Sequence, residues 1–157
     1  MKYKLKTTDY PVNYKLIALR TEIVDYRLAY LLNKLHFFCF KRKEKDIHCI
    51  VNSYKIFFST FEDQHMDSKR SCFLIKNKAI YENSFINPGS LFNSNLISET
   101  VFLIPELKNF DYFLKLVGVW KNEETKLLKK NITEILNLEA EYSINTEKIS
   151  SINNLFF

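Results

Sequence analysis

The feature that most constrains this chain is a pattern found near both of its ends. A short apolar run at 13–20 is followed by apolar residues at Val24, Leu28, Leu31, Leu32 and Leu35, which recur with the period of a helix. An aromatic run at 36–43 comes next. Farther along, residues 110–119 lead into a second helical stripe at Leu128, Ile132, Ile135 and Leu136, and then into 138–144. Both stretches read as strand, helix, strand. The spacing predicts helices over 22–35 and 122–136, with Thr21 and Asn122 as N-caps and acidic first turns that favour the positive end of the dipole. Tyr26 and Tyr30 are expected to flank the buried stripe of the first helix.

Between the two halves, residues 47–51, 54–61 and 71–76 read as further strands, with the charged run at 41–46 as a hairpin turn. Residues 77–99 are rich in asparagine and serine and carry Asn87-Pro88-Gly89-Ser90, so a long loop folded back on the sheet is expected there. A strand at 100–104 stops at Pro105, which has no N–H for a ladder. The expected fold is α+β. It has an antiparallel or mixed sheet with two helices packed on one face, two β-α-β halves (ferredoxin-like or related) and an inserted meander. With 157 residues the chain is expected to form a single domain over 1–157, with 1–12 as a loose basic lead-in.

No window of 18 apolar residues is present, so no membrane partner is expected, and the lysine-bearing first residues lack the apolar core of an export signal. Cys39, Cys49 and Cys72 are odd in number and lack a CxxC spacing. They read as reduced thiols, which points to the cytoplasm.

The charge is uneven: residues 1–45 hold eleven Lys/Arg against four Asp/Glu, whereas the rest of the chain is slightly acidic. Lysine outnumbers arginine 19 to 4, and that bias, together with 15 asparagines, resembles the coding of an AT-rich genome. Scarce arginine argues against guanine readout, so no DNA partner is expected. Lys41, Arg42, Lys43 and Lys45, interleaved with Phe37, Phe38 and Phe40, are the candidate nucleic-acid residues. RNA stacked on an open sheet face is the arrangement they suggest.

There is no glycine-rich phosphate loop and no GxSxG or HExxH motif. His36-x-x-Cys39 and His48-Cys49 have zinc-type ligands, but neighbours on a strand face opposite ways, so neither a metal nor any other cofactor is expected. Glu106 and Asp111 are a candidate acid–base pair. Both also suit a structural role, capping exposed backbone N–H groups around a proline break.

Ile104-Pro105-Glu106, three residues, then Phe110-Asp111-Tyr112 resembles the signature of the IPExxxVDY family of small bacterial proteins, with Phe110 where that pattern has valine. Asp25-Tyr26-Arg27-Leu28-Ala29 followed by Leu31-Leu32-Asn33-Lys34 is similar to the family's first helix, and Asn153-Asn154-Leu155-Phe156 to its C-terminal ending. The resemblance implies a small single-domain protein of the Bacteroidetes type and brings no catalytic residues. The leading expectation is a non-enzymatic interaction domain that meets an unknown protein partner through Pro105, Glu106, Phe110, Asp111 and Tyr112. An RNA-binding accessory protein is the alternative, and an enzyme acting through Glu106 and Asp111 the third.

Overall fold

The computed structural model describes residues 14–64, 69–86, 94–141, 144 and 146–156. The lead-in at 1–12 and the Asn87–Ser90 turn lie outside them. The protein is a mixed α+β structure built on a six-stranded antiparallel sheet. Its strands are β1 (Tyr14–Arg20), β2 (Phe40–Arg42), β5 (Thr60–Asp63), β6 (Arg70–Lys76), β9 (Tyr112–Gly118) and β10 (Glu139–Glu141), in the order β10-β1-β9-β6-β5-β2. Two hairpins stand outside this sheet: β3 (Ile47–Val51) with β4 (Tyr54–Phe58), and β7 (Lys78–Ile86) with β8 (Ser94–Phe102). Helix α1 (Asp25–Lys34) follows β1, and α2 (Asn122–Ile135) follows β9. Because every neighbouring pair in the sheet is antiparallel, β1 and β2 run the same way, as do β9 and β10.

The central strands are apolar almost without interruption because both of their faces are buried. Alternate residues divide between two cores. Ile17, Leu19, Cys72, Leu74, Tyr112, Leu114 and Leu116 join Leu28 and Leu32 of α1 and Leu128 and Ile132 of α2 in one cluster. Leu16, Ala18, Ile75 and Phe113 belong to the other, with Phe58 of β4, Tyr81 of β7, and Leu103, Ile104, Ile149 and Leu155.

Several expectations need correction. The segment at 77–99 is not a loop: its two arms pair from Lys78↔Phe102 to Ile86↔Ser94. The alternation was present, with Ala79 and Tyr81 facing inward and Lys78, Ile80 and Glu82 outward, but asparagine and serine masked it. The basic run at 41–46 is not a hairpin turn either. β2 pairs with β5, and β3 belongs to a separate hairpin. The single strand expected at 54–61 is interrupted at Ser59, which lets β4 leave one sheet and β5 enter another. Only Phe40–Arg42 of the run at 36–43 is strand, because His36 takes a left-handed backbone (φ 60°) as the chain leaves α1.

Helix boundaries also shift. Thr21 lies ahead of α1: its Oγ1 accepts the N–H of Ile23 in a local turn, and Val24 holds the N-cap position. Tyr26 and Tyr30 do not flank the core; they are 70% and 58% exposed, and the Lys34 ammonium lies 4.8 Å from the Tyr30 ring centre. Asn122 is the first residue of α2 rather than its cap, and Glu124 reaches back to the Lys121 N–H (2.8 Å). Ile135, expected in the buried stripe, is 64% exposed, and Thr125 is buried instead.

Candidate functional site

The stretch from Ile104 to Tyr112 is a junction built around Asn77. That residue is fully buried between β6 and β7, and its carboxamide answers three backbone groups of the junction. Its Nδ2 donates to the carbonyls of Leu107 (3.1 Å) and Phe110 (2.9 Å), and its Oδ1 accepts the N–H of Ile104 (2.8 Å). Its own N–H and carbonyl bind Asp111 and Leu103 across the backbone. Pro105 opens a 3-10 turn, Pro105–Leu107, which turns the chain between β8 and β9. Nothing in the sequence singled Asn77 out, since one asparagine between two lysines looks like an ordinary turn.

The candidate acid–base pair is engaged with two different parts of the fold. Glu106 receives the hydroxyl of Ser150 (2.6 Å), the N–H of Ser151 (3.1 Å) and the hydroxyl of Ser151. Those residues open the C-terminal 3-10 segment, Ser150–Leu155. The Ser150 and Ser151 hydroxyls hold the Glu106 carboxyl down at about 2, so it stays charged at the positive end of that segment. Asp111 Oδ2 accepts the N–H of Thr21 (2.9 Å), and the Tyr112 hydroxyl donates to the carbonyl of Ile23 (2.8 Å). Burial, followed by the charges of Asp25 and Asp111, pushes the Tyr112 phenol up. One carboxylate therefore fastens the C-terminal segment and the other the entry to α1. Of the five motif residues, Pro105 and Glu106 are exposed, Phe110 and Asp111 half-buried, and Tyr112 buried.

The C-terminal segment is held at its far end by Lys115. This lysine stands in the apolar run of β9, 6% exposed, and its Nζ donates to the Leu155 carbonyl (2.5 Å). The rings of Tyr14 and Phe156 lie 5.1 and 5.6 Å from the same nitrogen. Burial, then the nearby Lys43, lower its pKa to about 8. A lysine inside a strand of the core was the legible signal for this contact, and it was not read.

Lys41, Arg42, Lys43 and Lys45 line a cavity of about 860 Å³ together with Asn153, Asn154 and Phe156. Arg42 is engaged with Asp46 (2.5 Å) and Asp25 (3.6 Å), whereas Lys43 lies 5.1 Å from the Phe73 ring. Lys41, Lys43 and Lys45 line the cavity beside Arg42. The aromatics expected to stack bases are differently placed: Phe38 and Phe40 are buried at 3% and 7%, and Phe37 is 37% exposed. The sheet offers no open face for stacking at its centre, since both sides of β1, β6 and β9 are covered.

His48 is exposed with its ring 5.7 Å from that of Phe57, while its neighbour Cys49 is half-buried in the second core. Cys72 is completely buried, and burial, then Asp63, push its thiol well above the ordinary range. Among the described residues no three His, Cys, Asp or Glu side chains gather as a metal site, and no helix is long and apolar enough to cross a membrane. Comparison of the chain with protein-family models, with curated proteins and with solved structures finds no match.

Proposed function

We propose that this chain is a non-enzymatic binding domain that recognises an anionic partner at the cavity between the basic run and the C-terminal segment, with RNA as the partner class. The observation that carries this reading is the presence of Lys41, Lys43 and Lys45 together in the lining of that cavity. RNA would be held through its phosphates at this edge of the molecule rather than by bases stacked across the sheet. The acid–base reading has no support, because Glu106 and Asp111 are hydrogen-bonded to different elements. A cytoplasmic setting belongs to the same proposal, supported by the unpaired thiols of Cys39, Cys49 and Cys72. So does a ferredoxin-like core, supported by the order β10-β1-β9-β6 with α1 after β1 and α2 after β9. A place in the IPExxxVDY family is part of the proposal too, supported by the resemblance at 25–34, 104–112 and 153–156.

Fluorescence anisotropy with a labelled oligouridylate tests the reading. If about three phosphates are neutralised, the logarithm of the binding constant falls against the logarithm of salt with a slope of about −2. The K41E/K43E/K45E variant is expected to lose binding. Salt-insensitive binding, or binding unchanged in the variant, contradicts the proposal. A second reading, an unknown protein partner docking at the junction, is favoured by the exposure of Pro105 and Glu106. It predicts that P105A loses a partner captured by the wild-type chain while the melting temperature holds.

A further inference from the structure

The strand edges of this fold are guarded unequally. An edge presents unpaired N–H and carbonyl groups that invite another strand, so charges, short length or covering chain normally block it. β2 is three residues long, bears Lys41 and Arg42, and has its Phe40 N–H and carbonyl occupied by the Asn33 side chain (2.7 and 3.2 Å). β10 is also three residues long and bears Glu139 and Glu141. β7 carries Lys78 and Glu82, and β8 carries Glu99. β4 stands beside β7, with the Tyr54 and Tyr81 rings 5.2 Å apart. β3 has none of these devices. It reads Ile-His-Cys-Ile-Val, without acid, lysine, arginine or proline, and among the described residues no strand pairs with its outer side.

The turn that follows β3 fixes which of its backbone groups face outward. Asn52 and Ser53 both have positive φ (50° and 69°), as a two-residue type I′ turn requires. In such a turn the flanking pair, Val51 and Tyr54, is of the hydrogen-bonded kind. The pairs alternate from there. Cys49 and Ile47 bond to β4, while His48 and Ile50 direct their N–H and carbonyl groups away from it. Side chains alternate as well: Ile47, Cys49 and Val51 join the second core or pack against it, and His48 and Ile50 are exposed. Ile50 is 68% exposed and Phe57 of β4 57%, with the His48 ring 5.7 Å from that of Phe57.

We propose that β3 is a self-association edge, pairing antiparallel with β3 of a second copy about a two-fold axis at Cys49. In this register His48 of each copy exchanges backbone hydrogen bonds with Ile50 of the other, so every outward-facing group of both edges is used. A two-fold axis at His48 or at Ile50 would instead oppose Asp46 or Asn52, which lie outside the strand. The sequence suits pairing with itself. Ile47 meets Val51 on the core-facing side, and His48 meets Ile50 on the outer side, with no like charges opposed. The outer side then carries a row of Phe57, His48 and Ile50 of the second copy, which gives the exposed isoleucine a partner. A two-stranded hairpin is marginal alone, and this pairing makes it half of a four-stranded sheet in which each contact is made twice. Cys49 meets Cys49 of the second copy as a non-hydrogen-bonded pair, at a Cα separation of about 4.5 Å. That lies within the span of roughly 4.4–6.8 Å that a disulfide bridges.

Sedimentation velocity of the full chain over a range of concentrations tests for the dimer, and thiol cross-linking tests its register. Diamide takes two electrons and two protons from a pair of opposed thiols and leaves a disulfide. A reversible monomer–dimer equilibrium is expected, with a cross-linked dimer that persists in Cys39→Ala and is lost in Cys49→Ala. Ile50→Lys changes an exposed side chain, so its melting temperature should hold, while a lysine on the edge should raise the dimer dissociation constant at least about tenfold. Ile80→Lys, a like change at an exposed residue of β7, should leave the dimer as it is. The cross-link needs no change at Ile50 and decides the register by itself. A dimer that survives Ile50→Lys, is lost equally in Ile80→Lys, or does not cross-link through Cys49 overturns the proposal. A chain that is monomeric throughout overturns it too, whether or not β3 then accepts a strand from another protein.

Discussion

Asn77 carries the largest local responsibility in the junction, since one buried side chain satisfies two carbonyls and a buried N–H. Asn77→Ala should therefore destabilise the fold by roughly 3 kcal/mol, within the cost of leaving such groups unpaired. Equilibrium urea unfolding checks it, as a lower midpoint at unchanged slope. Glu106 gives a pH-dependent test. Its folded pKa of about 2 lies below the ordinary 4.5, so its contribution is complete above pH 4.5 and lost as pH falls towards 2. Glu106→Gln should thus melt below wild type at neutral pH, and the gap should close between pH 4.5 and 2. Lys115 works in the opposite direction. Its folded pKa of about 8 lies below the 10.5 of a free lysine, so between those values the unfolded chain binds more protons and stability rises with pH. Relative to Lys115→Met, wild type should gain stability across pH 8 to 10.5; a flat difference would mean that the ammonium is not desolvated.

Among the elements, β9 sets the limits of what the fold tolerates, because it pairs on both sides, with β1 and with β6. It ends at Gly118, where φ is +94° and an added Cβ would come within 2.2 Å of the Lys69 carbonyl oxygen. Gly118→Ala should cost at least about 2 kcal/mol through positive φ and steric overlap, read as a fall in melting temperature. The two helices were legible because each carries a stripe of period 3.6, although Ile135 shows that the period alone did not fix which residues at the helix end are buried. The hairpins were less legible. β7–β8 is written in asparagine and serine, whose turn preferences hide a period-2 pattern, and the break at Ser59 has neither glycine nor proline to mark it. Pairing of β2 with β5 rather than β3 is a long-range choice, and no local spacing encodes it.

At the scale of the whole molecule, two regions far apart in sequence take different work. The junction at 104–112 binds the start of α1 through Asp111 and Tyr112 and the C-terminal segment through Glu106, so it fastens distant parts of the chain. The motif residues were visible in the sequence; their partners, Thr21, Ile23, Ser150 and Ser151, were not, because each contact spans many residues. The same holds for the cavity. Its lysines were legible as a basic run, but Asn153, Asn154 and Phe156, which also line it, come from a segment roughly a hundred residues farther along, and no local pattern brings the two together. The account therefore separates a structural junction from a binding cavity. The most direct test is one anisotropy titration of the labelled oligouridylate at low temperature, run on wild type, E106Q and K41E/K43E/K45E. The account predicts that E106Q, though less stable, binds within about twofold of wild type, and that the charge-reversed variant, still folded at that temperature by circular dichroism, loses binding by at least about tenfold. Loss of binding in E106Q with retention in the charge-reversed variant would contradict it.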